Sequence, residues 1–190
     1  MIESSLQSHF ATHQEIVSRT LTALGDAIIG SAVVLSRACV SQHKVIAFGN
    51  GGSAAQASHL VGELLGRYQH TRRPIAAICL TSEPSVFSGV SNDFGFASVF
   101  ERQVEALAQP GDVAIGFSTS GRSANVLRGM AMAERKGAHT IALTGSSGLS
   151  DTHPQHTLAV PSASTAHIQE VHLMIVHFWC QLLDCDLEHS

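Results

Sequence analysis

Lys44-Val45-Ile46-Ala47-Phe48-Gly49-Asn50-Gly51-Gly52-Ser53 passes from a short apolar run into a glycine turn, and the residues after it keep helical spacing to about Tyr68. A continuous apolar run of this length, bounded by a turn, reads as a strand buried on both faces. The turn opens a helix, so it presents backbone N–H groups and the positive end of the helix dipole to an anion. The pattern repeats downstream. Asp112 to Phe117 (DVAIGF) leads into Ser118-Thr119-Ser120-Gly121-Arg122-Ser123, then a helix to about Lys136 closed by Gly137. Ile75 to Leu80, His139 to Thr144 and Thr157 to Val160 are three more apolar runs of this kind. Strands that alternate with helices, without a two-residue polar alternation, predict an α/β fold: a three-layer α/β/α sandwich around a five-stranded parallel sheet. Ligands in such sheets bind at the carboxyl ends of the strands, where both turns lie.

The flanks complete the layers. Residues 2 to about 42 read as helix, with Ile16, Leu21, Leu24, Ile28 and Leu35 at helical spacing, and Gly25 and Gly30 leave open two helices or one bent one. Glu83 to Val90 forms a short helix opened by Pro84, Phe96 to Leu107 another, and Ala163 to about Leu187 a long closing helix. Gly145 to Pro154 reads as a loop. The length of 190 residues fits one domain, 1–190, in which 1–42 forms an N-terminal helical extension.

Composition narrows the partners. The net charge of −4 gives no electrostatic case for nucleic acid. No apolar run approaches the roughly 20 residues that span a bilayer, and Met1-Ile2-Glu3-Ser4-Ser5 has no signal-peptide pattern, so no membrane partner and a cytoplasmic location are expected. Cys39, Cys79, Cys180 and Cys185 form no Cys-x-x-Cys pair and read as free thiols.

The chemistry concentrates on few residues. The first turn lacks the third glycine of a dinucleotide fingerprint and the Gly-Lys-Ser/Thr of a P-loop, so it is either a tight turn or a less common anion cradle. The second turn offers four hydroxyls at a helix N-terminus; one suffices for capping, and the rest suit a phosphate. His59 and Glu63 stand four residues apart on one helix face, a spacing for a shared metal or an acid/base pair, or for a plain surface pair. On the closing helix Gln169 and His177 share a face two turns apart, while His172 points elsewhere and reads as a partnered or surface histidine. Asn92 and Asp93, in Ser91-Asn92-Asp93-Phe94-Gly95-Phe96, read either as a turn or as contacts for sugar hydroxyls.

Taken in order, Gly49-Asn50-Gly51-Gly52-Ser53, His59 to Glu63, Gly66-Arg67-Tyr68, Asn92 to Phe96, Ser118 to Gly121 with Ser123-Ala124-Asn125-Val126, Leu143-Thr144-Gly145, and Ile168-Gln169-Glu170 with His172 and His177 resemble the sugar isomerase (SIS) domain family, and within it the phosphoheptose isomerases. The resemblance implies a flavodoxin-like sheet and a homotetramer with active sites between subunits. It implies conversion of sedoheptulose 7-phosphate to D-glycero-D-manno-heptose 7-phosphate, the first step toward lipopolysaccharide heptose. It implies one zinc per subunit on His59, Glu63, Gln169 and His177. It also implies substrate contacts from Asn50, Gly51, Gly52, Ser53, Glu63, Asn92, Asp93, Ser118, Thr119, Ser120, Ser123 and Gln169. Isomerisation needs a base at carbon and an acid/base at oxygen, and Glu63 and His177 are the expected catalytic pair. Ala166-His167 stands where the family often has Asp-Arg, and Ala54 where several relatives carry histidine. The alternative is a non-catalytic relative that binds the replication initiator; it lacks the glutamate and histidine that this chain keeps at 63 and 177.

Overall fold

The computed structural model describes residues 2–150 and 152–187; Met1, 188–190 and Asp151, the last within the expected 145–154 loop, lie outside them. Helix α1 (Ile2–Val40) precedes β1 (Val45–Gly49), α2 (Gly52–Leu65), β2 (Ala77–Cys79) and α3 (Pro84–Phe94). A 3-10 turn (Phe96–Ser98) leads into α4 (Val99–Leu107), and β3 (Val113–Ser118), α5 (Ala124–Arg135), β4 (His139–Thr144), β5 (His156–Ala159) and α6 (Thr165–Leu187) complete the chain. All strand pairs are parallel, in the order β2-β1-β3-β4-β5. This is the flavodoxin-like order, whose ligand crevice opens where β1 and β3 separate.

Alternation of side chains along each strand sorts the core into two layers. Val45, Ala47, Val113, Ile115 and Phe117 pack with α1, α2 and α6 on one face. Ile46, Phe48 and Ala114 pack with α4 and α5 on the other. Both faces are dry, so the polar openings of the sheet are its ends. β1 and β3 run in register from Val45 opposite Val113 to Gly49 opposite Phe117, which sets their two turns side by side.

Several elements differ from expectation. The N-terminal segment is one unbroken helix through Gly25 and Gly30, packed against α6 and β5, with the Gly30 position backed by the His156 ring. Helix α3 runs on to Phe94, so Asn92 and Asp93 are helical rather than in a turn. The hydroxyl of Ser91 donates to Phe87 O at 2.7 Å within the helix, and Gly95 with φ 81° ends it. Expectation also fails on apolar length: an 18-residue window of α1 reaches a mean hydropathy of 1.6, enough by length and composition to cross a membrane. One third of that window is buried within the fold, at 33%.

A buried ion pair fixes the end of α2 against α6. Arg72 Nε donates to Asp184 Oδ1 at 2.9 Å, and both side chains are almost wholly out of solvent. The other Arg72 nitrogens donate to the last α2 carbonyls, Nη1 to Leu64 O at 3.0 Å and Nη2 to Glu63 O at 2.8 Å. Asp184 Oδ2 accepts from the N–H groups of Gln69 and His70 at 2.7 and 2.8 Å. Burial pushes the Asp184 carboxyl up, but those two N–H groups and the Arg72 guanidinium outweigh it and hold the carboxyl below its ordinary range.

Removing one partner strands the other charge. Arg72→Met is therefore expected to lower unfolding free energy by about 3–5 kcal/mol in urea titration. Because the folded pKa of Asp184 is depressed, its stabilisation is complete above the unfolded value of about 4 and is lost as pH falls through the folded one. Asp184→Asn should flatten the acid limb of the stability–pH curve, measured by thermal melts between pH 2 and 6.

Candidate active site

The two turns at the carboxyl ends of β1 and β3 are tied to each other. Asn50 Nδ2 donates to Asn125 Oδ1 at 2.9 Å, and Asn125 Nδ2 donates back to Asn50 Oδ1 at 2.8 Å. This two-way amide pair spans the crevice and fixes the glycine turn against the first turn of α5. Asn125 is buried, and its Oδ1 also accepts from Val126 N at 3.0 Å.

The hydroxyl turn is more than a cap. Ser123 is the N-cap of α5, yet its side chain makes no capping hydrogen bond. Its hydroxyl instead accepts from Ser118 Oγ at 3.1 Å, which leaves the first N–H groups of α5 without a serine cap. Ser118 is buried, Thr119 half-buried and Ser120 exposed, its Oγ accepting from Arg122 N at 3.3 Å. The 145–150 loop closes over this turn: Gly145 N donates to Thr119 O and Ser150 N to Gly121 O. Gly121 has φ 65°, and a Cβ there would collide with the Gly148 carbonyl. Only glycine permits so close an approach.

At the first turn Gly51 starts α2 with φ 54° and no side-chain cap, and Gly51 and Gly52 are exposed while Ser53 is buried. The Gln169 amide of α6 lies directly over Gly52, where a Cβ would strike it. Gln56 Nε2 donates to Gln169 O and fixes the start of α6 on α2.

Two helical turns along α2, roughly 10 Å from Gly52 at 1.5 Å per residue, a second polar group forms. His59 Nε2 is 3.0 Å from His177 Nε2 and 3.4 Å from Glu63 Oε1. Tyr68 stacks on the His177 ring with centroids 5.3 Å apart and planes inclined by 24°. His59, His177 and Glu63 thus join across α2 and α6, while Gln169 stands at the glycine turn. Two imidazoles and a carboxylate are donors of the type zinc takes; two short spacings meet at His59, but the three ligand atoms do not all lie within 4.8 Å of one another. Asn92 and Asp93 are exposed and bonded to each other, Nδ2 to Oδ1 at 2.7 Å, on the α3–α4 side of the molecule. His172 is buried and donates from Nε2 to Thr144 O at 3.1 Å; burial lowers its pKa to about 4 against that bond, so it is neutral.

Sequence reasoning gave no site role to Asn125 and Tyr68, quoted only within motifs, and missed Gln56. The Asn50–Asn125 pair depends on β1 and β3 being neighbours, and Tyr68 lies beyond the end of α2, where helical spacing says nothing. A further group was also missed. Among the described residues, His9, His167 and Glu170 are the one set of three such side chains whose ligand atoms all lie within 4.8 Å of one another.

Known proteins resemble this chain in sequence and in fold. The SIS domain family model matches residues 8–145. The phosphoheptose isomerase of Aquifex aeolicus (strain VF5) is 48% identical over 158 residues, 83% of each chain. That of Bordetella avium (strain 197N) is 41% identical over 186 residues, 95% of this chain and 94% of its own. A solved phosphoheptose isomerase from Francisella tularensis superposes with a TM-score of 0.92 at 33% identity, covering 97% of this chain and 99% of its own. Fold, ordered motifs and relatives converge: the chain belongs to the SIS domain family and is an isomerase of sugar phosphates akin to the phosphoheptose isomerases.

Proposed function

We propose that this isomerase converts sedoheptulose 7-phosphate to D-glycero-D-manno-heptose 7-phosphate through an enediol, the first step toward ADP-heptose and the heptose of lipopolysaccharide. The observation that carries the reading is the meeting of α2 and α6, with His59 Nε2 3.0 Å from His177 Nε2 and 3.4 Å from Glu63 Oε1. The ketose must lose a proton from C1 and gain one at C2, while O1 loses a proton and O2 takes one up. Glu63 is the base that removes the C1 proton, exchanges it with solvent and delivers a proton to C2. His177, held by Tyr68 and His59, exchanges the proton between O1 and O2. The hydroxyls of Ser118, Thr119, Ser120 and Ser123, with the first N–H groups of α5, take the phosphate. Asn50, Gly51, Gly52, Ser53 and Gln169 line the sugar chain, and Asn92 and Asp93 are assigned to its hydroxyls. Binding energy from the phosphate end then positions the reacting carbons.

His59, Glu63 and His177, with Gln169 as the fourth candidate, would hold one zinc per subunit. Bound there, zinc supplies Lewis acidity toward the two oxygens of the enediol. We read residues 1–190 as a single SIS domain that assembles as a cytoplasmic homotetramer with active sites between subunits. An apolar groove of about 330 Å³ between α1 and α6, bordered by the exposed Leu21, Ile29, Met174 and Phe178, supports such a packing face. Retention of Glu63 and His177 favours the enzyme over an initiator-binding regulator.

Glu63→Gln keeps the shape and removes the base, so kcat should fall at least about a hundredfold; near-normal turnover of sedoheptulose 7-phosphate would refute the assignment. Asn125→Ala opens the clip between the turns. It should raise KM about tenfold, the equivalent of roughly 1.4 kcal/mol, with a smaller change in kcat, and an unchanged KM would remove the clip from substrate binding.

A further inference from the structure

We propose that His9, His167 and Glu170 form a second metal site, for zinc or another borderline divalent cation, which pins the first turns of α1 to the start of α6. The site is distinct from the 59/63/177 group: it uses the other end of α6 and residues of α1 that the isomerase reading leaves without a role. His167 and Glu170 are three apart on α6 and so share a face, Glu170 turned by about 100° and His167 by about 160° from Gln169. His9 and His13 are four apart on α1 and face them.

The distances favour ligation. Glu170 Oε2 lies 2.9 Å from His167 Nδ1 and 2.8 Å from His13 Nδ1, and Glu170 Oε1 lies 3.5 Å from His9 Nε2. The ligand atoms of His9, His167 and Glu170 fall within 4.8 Å of one another. Ligands about 2.0–2.2 Å from a tetrahedral ion stand about 3.3–3.6 Å apart, so small side-chain rotations close the set. Two imidazole nitrogens and one carboxylate oxygen leave a fourth position for water, a zinc-type donor set. His13 is the outer neighbour, its Nδ1 2.8 Å from the carboxylate and able to turn onto it once a cation draws the other oxygen.

His167 Nδ1 and Glu170 Oε2 form a hydrogen bond at 2.9 Å, but the other two histidines are not hydrogen-bonded to the carboxylate by their geometry. His13 Nδ1 is buried and close to Glu170, yet its alignment is not that of a hydrogen bond. The His9 and His167 rings pack 4.6 Å apart at 35°, which brings a nitrogen of each to the Glu170 carboxylate. The site also has a mechanical reason. Residues 2–12 of α1 are all exposed, and the first buried residue of the helix is Ile16. The histidine–glutamate cluster is a contact that joins these early turns to α6.

The test uses the full chain, stripped with chelator and titrated with zinc alone, with bound metal counted by elemental analysis. In a His59→Ala/His177→Ala background, which removes the ligands proposed at the isomerase site, about one zinc per chain should remain. Adding His167→Ala should abolish it. His9→Ala, at an exposed position, should weaken it at least tenfold, and His13→Ala by about 10–100-fold. Zinc should also slow amide exchange over residues 5–13, and His9→Ala should remove that protection. The proposal is overturned if the 59/177 background binds no zinc, or if its zinc survives both His9→Ala and His167→Ala. Zinc lost wholly with the 59/177 pair rejects this site and leaves the isomerase reading intact; zinc lost wholly with His167→Ala does the reverse.

Discussion

The two hydrogen bonds exchanged by Asn50 and Asn125 are the contact on which the geometry of the crevice depends. A parallel sheet with both faces buried can present polar chemistry only at its ends. In this chain the end of β1 is a glycine turn and the end of β3 a hydroxyl turn. Register places Gly49 opposite Phe117, and the amide pair joins what register brings close. The joined turns carry the N-termini of α2 and α5 into one crevice, with two dipoles and a row of hydroxyls facing the same space.

The reacting end is built from helices. Glu63 and His59 ride on α2, His177 on α6, so their mutual placement is only as good as the α2–α6 contact. That contact is held at both ends. Gln56 bonds Gln169 O near the glycine turn, and the Arg72–Asp184 pair ties the last carbonyls of α2 to the end of α6. Buried ion pairs contribute little net stability but penalise misalignment heavily. Here the penalty falls on any slip between the helices that carry the acid/base groups. Gly52 plays the complementary part, since any side chain there would push Gln169 and the start of α6 away.

The sheet was legible because parallel strands are written as continuous apolar runs, and Val45 to Phe48 could be little else. Boundaries were less so. Ile75 gives its N–H to Leu64 O of α2, which trims β2 to Ala77–Cys79, a tertiary choice that composition does not encode. Helix α3 outran its expected end because Ser91 bonds back into the helix and Gly95 supplies the stop. In the site, His59 and Glu63 were readable because helical periodicity alone sets them on one face. Asn125 and Tyr68 were not, because their partners are fixed by topology rather than by local spacing. The same holds for His9, which meets His167 only because α1 is one unbroken helix across Gly25 and Gly30.

The central claim is a proton transfer through an enediol at C1 and C2 of a heptulose phosphate. Turnover of sedoheptulose 7-phosphate in heavy water, followed by NMR of the heptose 7-phosphate formed, tests it most directly. The account predicts deuterium at C2 of the product, introduced by a base in exchange with solvent. A product that keeps protium fully at C2, or no product from this substrate, would contradict it.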